Sequence, residues 1–241
     1  MTSQFHSMVI RGEKMKMLLC SEFAGVGYKF LNRFFDSGKG KTCLFVGYAR
    51  EDYKNAESSS LNRIKDFGFE VIVLDENFDF SQKIDMIFVR GGNTTALIDK
   101  LREFEQYEKL KDLVKNGAVY VGNSAGTILA GTETAWTLWS EPYEVDLTQK
   151  FGKNALDGFG LVNKIFLVHT GRFRLNYEEE ASFPGEVFRT KNTEFYGSYL
   201  RERKRLKGKN IETIKNNEVI FIDGNIYKKL VYDWSKIPVK N

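Results

Sequence analysis

Short apolar runs bounded by breakers recur along the first half of the chain: "MKMLLC" (15–20), "TCLFVGY" (42–48), "EVIVLD" (70–75), "MIFVR" (86–90) and "AVYVG" (118–122). Each is continuous rather than alternating, which predicts strands buried on both faces. Between them the apolar positions change to helical spacing. "GYKFLNRFFD" places Phe30, Leu31, Phe34 and Phe35 on one face, and "SSSLNRIKDFG" and "TTALIDKLREFEQYEKLKDLVKNG" behave likewise, both closing on glycine. Strand and helix alternate, so the pattern predicts an α/β fold: a doubly wound, mostly parallel sheet with helices on both faces. Ligands of such sheets gather at the carboxyl ends of the strands.

Beyond residue 130 the pattern loosens. "KIFLVH" (164–169) reads as a strand and "EVIFIDGNIYKKLVYD" (218–233) as a hairpin turning at Asp223-Gly224, while the polar and aromatic stretch from 170 to 215 yields no order of elements. Residues 1–14 match no element that follows and are expected to lie outside the fold. Residues 15–241 are expected to form a single domain, since no Pro- or Ser-rich linker and no internal repeat divides them.

Composition narrows the class. Hydrophobic residues make up 42% of the 241 and charged residues 28%, ordinary globular usage. The net charge of +4 is mild and the longest basic run, "RERKRLKGK" (201–209), is local, so no nucleic-acid partner is expected. No apolar stretch approaches the ~18 residues of a membrane span and the N-terminus lacks the pattern of a signal peptide, so a cytoplasmic protein with no membrane partner is expected. Cys20 and Cys43 both fall in predicted buried strands, which suits a reducing compartment.

Candidate chemistry begins at "AVYVGNSAGTILAG" (118–131). Gly122-Asn123-Ser124-Ala125-Gly126 is a G-x-S-x-G frame between a strand and a helix, the setting that lifts a serine hydroxyl out of a fold; it is also what an ordinary helix start looks like. An activated serine needs a base, and of two histidines His6 lies in the stray N-terminal segment, leaving His169 at the carboxyl end of "KIFLV". A carboxylate to orient that base is offered by Glu141, Glu144 and Asp146, with Asp157 further on; Glu141, beside Pro142, is preferred. "VRGGNTTAL" (89–97) puts Gly91 and Gly92 where backbone N–H groups could meet an oxyanion together with the Ala125 N–H, and makes Asn93 a substrate-binding candidate. The turn has neither a Walker lysine nor a G-x-G-x-x-G spacing, which argues against a nucleotide site.

With these residues in hand the chain resembles the peptidase E family of serine dipeptidases, grouped with cyanophycinase and class I glutamine amidotransferase-like in fold. The resemblance rests on "VRGGNT", "VYVGNSAG" and "GFGLVNKIFLVH", in that order over residues 15–170. It implies Ser124 as nucleophile, His169 as base, Gly91 or Gly92 with Ala125 as oxyanion hole, and an acid in the short loop holding Glu141. "HTGRFR" and "IKNNEV" depart from the family's segments at those places. An acidic first substrate residue would need a cation, and Arg172 and Arg174, just past the base, are candidates, with Arg90 before the glycines another. The expected function is hydrolysis of short peptides by a monomer or homodimer, with a preference for N-terminal Asp. The alternative is a non-catalytic binding or regulatory module that keeps the elbow as a fold feature. One usable histidine and two separated cysteines make no metal-ligand cluster and no cofactor is called for, so activity is expected to survive EDTA in full; loss restored by added zinc would refute this.

Overall fold

A computed structural model describes residues 15–53, 58–139, 143–170, 181–183, 186–188 and 206–233. Seven strands form the main sheet among them, in the order β11-β10-β1-β5-β4-β2-β3. These are β1 Lys16–Cys20, β2 Thr42–Val46, β3 Glu70–Val73, β4 Met86–Val89, β5 Val119–Asn123, β10 Glu218–Asp223 and β11 Ile226–Val231. The five first in sequence run parallel, as their doubly buried apolar runs require, while β10 pairs antiparallel with β1 and β11 with β10. The expected hairpin is therefore present, closing where Asp223 faces Ile226.

Alternate residues of each central strand feed two cores. One face of the sheet takes Met17, Leu19, Leu44, Ile87 and Tyr120 beneath α2 (Thr94–Glu103), α3 (Tyr107–Lys115) and α4 (Ala125–Ala130). The other takes Leu18, Cys20, Phe45, Phe88 and Val121 beneath α1 (Ser59–Asp66) and a 3₁₀ helix over Gly27–Arg33. Helices thus cover both faces. At roughly 1.5–3 kcal/mol for a fully buried large aliphatic or aromatic side chain, these two clusters supply the main drive for folding.

Three local expectations are corrected. The "GYKFLNRFFD" segment is a 3₁₀ helix, and of its four apolar residues Leu31 and Phe35 are buried while Phe30 and Phe34 pack from the rim. The long periodic segment 94–117 is two helices, interrupted where Glu105 takes φ +54. The break lets the Gln106 amide reach inward, its Oε1 accepting from the Tyr48 hydroxyl at 3.0 Å and its Nε2 donating to Asp75 O at 2.6 Å. A buried amide with both ends satisfied locks a bend that hydrophobic periodicity does not register. "KIFLVH" is a strand, β6 (Ile165–Thr170), but it stands outside the main sheet, in parallel pairing with β9 (Ile211–Lys215). A short antiparallel pair, β7 (Ala181–Phe183) with β8 (Glu186–Phe188), falls in the stretch whose elements the sequence pattern did not reveal. Residues 1–14 lie outside the described residues. No described helix is long and apolar enough to cross a membrane.

The junction of β1, β5 and α4 is tied by one hydroxyl. Thr127 Oγ1, buried, accepts the Cys20 N–H at 3.0 Å and lies 2.8 and 2.7 Å from the carbonyl oxygens of Cys20 and Gly122, between which its single O–H proton is shared. Replacing Thr127 by Val keeps the shape and strands a buried donor, a cost of about 1–3 kcal/mol. A Thr127→Val midpoint in urea equal to wild type would show that the junction does not depend on this hydroxyl.

Candidate functional site

The strand-to-helix corner after β5 holds Ser124 in a backbone conformation that side chains rarely adopt, φ +50 and ψ −106. Such a residue costs of order 1–3 kcal/mol and persists only where its surroundings over-determine it. Here they do. The Ser124 N–H donates to Cys20 O at 2.9 Å, its carbonyl accepts the Ile128 N–H at 3.0 Å, and the Asn123 side chain in front of it accepts the Phe23 N–H at 3.1 Å. The flanking glycines serve contact rather than freedom. A Cβ on Gly122 would stand 2.8 Å from the Gly126 carbonyl and the Thr127 nitrogen, and one on Gly126 would strike Val89 O. Only hydrogen atoms fit between β5, α4 and the end of β4.

The second member arrives by a different device. His169 also sits at positive φ, +58, at the place where the β6–β9 ladder loses register between Val168 and Thr170. Such a bulge turns a strand residue out of its regular alternation. The His169 N–H is caught by Ser21 Oγ at 3.0 Å, and Ser21 in turn donates to Ile214 O at 2.8 Å, so the end of β1 clamps the bulge against β9. The result is that His169 Nε2 stands 2.9 Å from Ser124 Oγ, both half-buried. His169 Nδ1 lies 2.8 Å from Asn216 Oδ1, in the turn between β9 and β10. With the amide oxygen placed toward it, Nδ1 is the nitrogen positioned to donate, an arrangement that leaves Nε2 facing the serine hydroxyl. Neither Ser21 nor Asn216 is legible as a site residue in the sequence; the second falls in "IKNNEV", a segment that departs from the resembled family.

The glycine turn after β4 closes against the serine. Its ends are pinned, the Arg90 N–H to Val46 O at 3.0 Å and the Asn93 N–H to Ala49 O at 2.8 Å. A Cβ on Gly91 would fall 2.9 Å from Ser124 Cβ, so this turn touches the nucleophile candidate directly. Gly92 has φ +149 and a Cβ there would strike Ala49 O, which leaves room for glycine alone. Ala125, fully buried, opens α4 immediately after Ser124. Asn93 accepts the Ala96 N–H at 2.9 Å through its side-chain oxygen and so caps α2.

The proposed acids fare differently. Glu141 lies outside the described residues, as do Arg172 and Arg174. Glu144 is exposed. Asp146 is the N-cap of α5 (Leu147–Phe151): its Oδ1 accepts from Thr148 Oγ1 at 2.6 Å and from the N–H groups of Thr148 and Gln149, and these bonds hold its carboxyl below the usual range. Asp157 forms an isolated antiparallel bridge with Glu133. Cys20, beside the serine, is fully buried, with its thiol pushed up by that burial and donating to Gly122 O at 3.4 Å, so it offers no competing thiolate. No group of three or more His, Cys, Asp and Glu that could hold a metal exists among the described residues.

Parallel sheet, strained serine elbow and facing histidine define the class: an α/β protein with the geometry of a hydrolase nucleophile site. The profile of peptidase family S51 matches residues 18–230, and the chain belongs to that family. It is 29% identical over 135 residues to peptidase E of Haemophilus influenzae, covering 52% of this chain and 62% of that protein. Over 104 residues it is 36% identical to a probable alpha-aspartyl dipeptidase of Drosophila melanogaster, covering 42% and 43% respectively. The matched region thus spans about half the length of these curated relatives. A Listeria monocytogenes EGD-e crystal structure, of a candidate peptidase E, superposes with a TM-score of 0.65 at 22% identity, over 91% of this chain and all of that one. That likeness shows the fold.

The positive φ at Ser124 generates its own test. Ser124→Ala and Ser124→Gly both remove the hydroxyl, but only glycine relieves the backbone, so the glycine variant is expected to be more stable than the alanine variant by about 1 kcal/mol. Equal thermal midpoints for the two would show that the elbow is unstrained.

Proposed function

We propose that this protein hydrolyses short peptides as a serine peptidase, and that it is a dipeptidase preferring an N-terminal aspartate. The observation that carries the proposal is the 2.9 Å approach of Ser124 Oγ to His169 Nε2. Membership of peptidase family S51 and the likeness to a peptidase E and to a probable alpha-aspartyl dipeptidase support the choice of peptide over other acyl substrates.

In the proposed reaction Ser124 Oγ attacks the scissile carbonyl carbon while Nε2 of His169 takes the hydroxyl proton. The carbonyl oxygen becomes an oxyanion facing the Gly91 or Gly92 N–H and the Ala125 N–H, rigid donors that need no reorganisation as charge develops. Collapse breaks the C–N bond, and the imidazolium returns its proton to the departing amine. Water, deprotonated by the same nitrogen, then attacks the acyl-serine ester and releases the free acid and Ser124.

For the acidic preference, Arg172 and Arg174 stand as candidates by sequence. Among described residues Arg90 adds support. It is the residue that delivers the glycine turn, its side chain is only 11% exposed, and its nearest carboxylate is Asp52 at 3.8 Å. Burial first, then the neighbouring Arg50, lowers its pKa, the mark of a cation short of negative charge. A substrate carboxylate would relieve both effects.

A fluorophosphonate probe is expected to label the wild type at Ser124 and not Ser124→Ala; no labelling would leave a non-catalytic binding module. On dipeptides, Asp-X is expected to be cleaved at least tenfold faster in kcat/KM than Asn-X, tenfold corresponding to about 1.4 kcal/mol. Arg90→Gln, Arg172→Ala or Arg174→Ala should narrow the gap. Equal rates on Asp-X and Asn-X would remove the acidic preference while leaving the peptidase.

A further inference from the structure

A cavity of about 590 Å³ opens at the far end of the elements that carry Ser124 and His169. One wall is Thr132 and Glu133, just past the last turn of α4, and another is Ile165, the first residue of β6; Asn210, before β9, and the segment 153–157, after α5, complete it. Counted along each element, it lies about 10 Å from Ser124 by α4 and about 13 Å from His169 by β6. It is separate from the cleft between those two residues.

The walls are fastened from outside. Arg102, on α2, donates through Nε to Ala155 O at 3.1 Å and through Nη2 to Asn154 O at 3.0 Å, and the Tyr107 hydroxyl donates to Asp157 O at 2.7 Å. On the other side the Thr134 N–H donates to Leu156 O at 3.0 Å, the Thr132 N–H to Lys164 O at 2.9 Å and the Ile165 N–H to Asn210 O at 2.8 Å. A cavity held this way is formed before a ligand arrives, and its size falls in the range of about 300–1,000 Å³ usual for small-molecule sites.

Its charges balance. Glu133, with a side chain only 17% exposed, pairs with Lys209, while among the described residues no hydrogen bond or ion pair engages the side chains of Lys153, Asp157 or Asn163. We propose that this cavity is a second binding site, for a zwitterion of the amino-acid or short-peptide class, whose carboxylate meets Lys153, whose ammonium meets Asp157 and whose polar middle meets Asn163. A plain anion would face the carboxylates of Glu133 and Asp157, and a plain cation the two lysines, so the lining favours a ligand that carries both charges. Because α4 and β6 each join the cavity to one member of the Ser124–His169 pair, occupancy is expected to be felt at the imidazole. The cavity and its charge pattern are independent of the peptidase reading; a supply of such zwitterions from the protein's own reaction rests on it.

Binding is measured on Ser124→Ala protein, which lacks the nucleophile hydroxyl, so the result does not depend on hydrolysis. Amide resonances are followed by NMR during titration with alanine, with Ala-Ala, and with N-acetylalanine and alaninamide, each of which lacks one of the two charges. Saturable shifts at Thr132, Lys153, Asn163 and Asn210 are expected with the zwitterions, and the tighter of alanine and Ala-Ala identifies the source as amino acid or peptide. Blocking either charge, or introducing Lys153→Ala or Asp157→Asn, should weaken binding by roughly tenfold or more, tenfold corresponding to about 1.4 kcal/mol. The His169 ring resonances should move over the same concentration range, and that response should weaken in parallel in Lys153→Ala. No saturable shift, shifts confined to the surroundings of Ser124 and His169, or equal binding of the blocked forms would each overturn the site, whether or not the protein cleaves peptides. A His169 response undiminished in Lys153→Ala would overturn the link between the cavity and the imidazole.

Discussion

Everything in the site hangs on a serine held against its backbone preference. Ser124 remains at φ +50 because β1 grips it from one side, through Cys20 O and the Thr127 hydroxyl, while β4 presses from the other with no side chain between. The strain is offset by burial: the strands and helix that clamp the corner are among the most thoroughly covered elements of the molecule. A hydroxyl presented this way needs no rearrangement to face a ligand at the carboxyl edge of the sheet.

The histidine opposite is held on a separate principle. It does not belong to the sheet that carries the serine; it comes from a two-stranded ladder docked beside it, and a bulge with a second positive φ aims it across the gap. Ser21 joins the two systems, since it follows β1 directly and bonds both the bulge and β9. Rigid elements on both sides, rather than loops, thus fix the 2.9 Å separation. Two strained residues from two sheets meeting at hydrogen-bond distance is an arrangement packing alone would not favour, which is the physical argument that it is there for chemistry.

Membership of peptidase family S51 places this arrangement among relatives without dictating its details. The glycine turn, the elbow and the histidine come together in the structure. The segment around Asn216 departs from the resembled family, and there an amide oxygen lies 2.8 Å from His169 Nδ1.

By itself the sequence determined the parallel core, the hairpin and the two-sided cover of helices, and singled out Ser124, His169 and the glycine turn as candidates. Those features are written in local patterns: continuous apolar runs, helical spacing, and small residues at a strand-to-helix corner. It did not reveal that residues 94–117 bend at Glu105, because the cause is a buried Gln106 amide satisfied by residues distant in the chain. Nor did it reveal that His169 belongs to a second ladder, or that Asn216 reaches its Nδ1, 47 residues further on. Those outcomes belong to tertiary structure alone. A hydrogen-bond partner is chosen by where two sheets come to rest against each other, and no local pattern of hydrophobic and polar positions carries that distance.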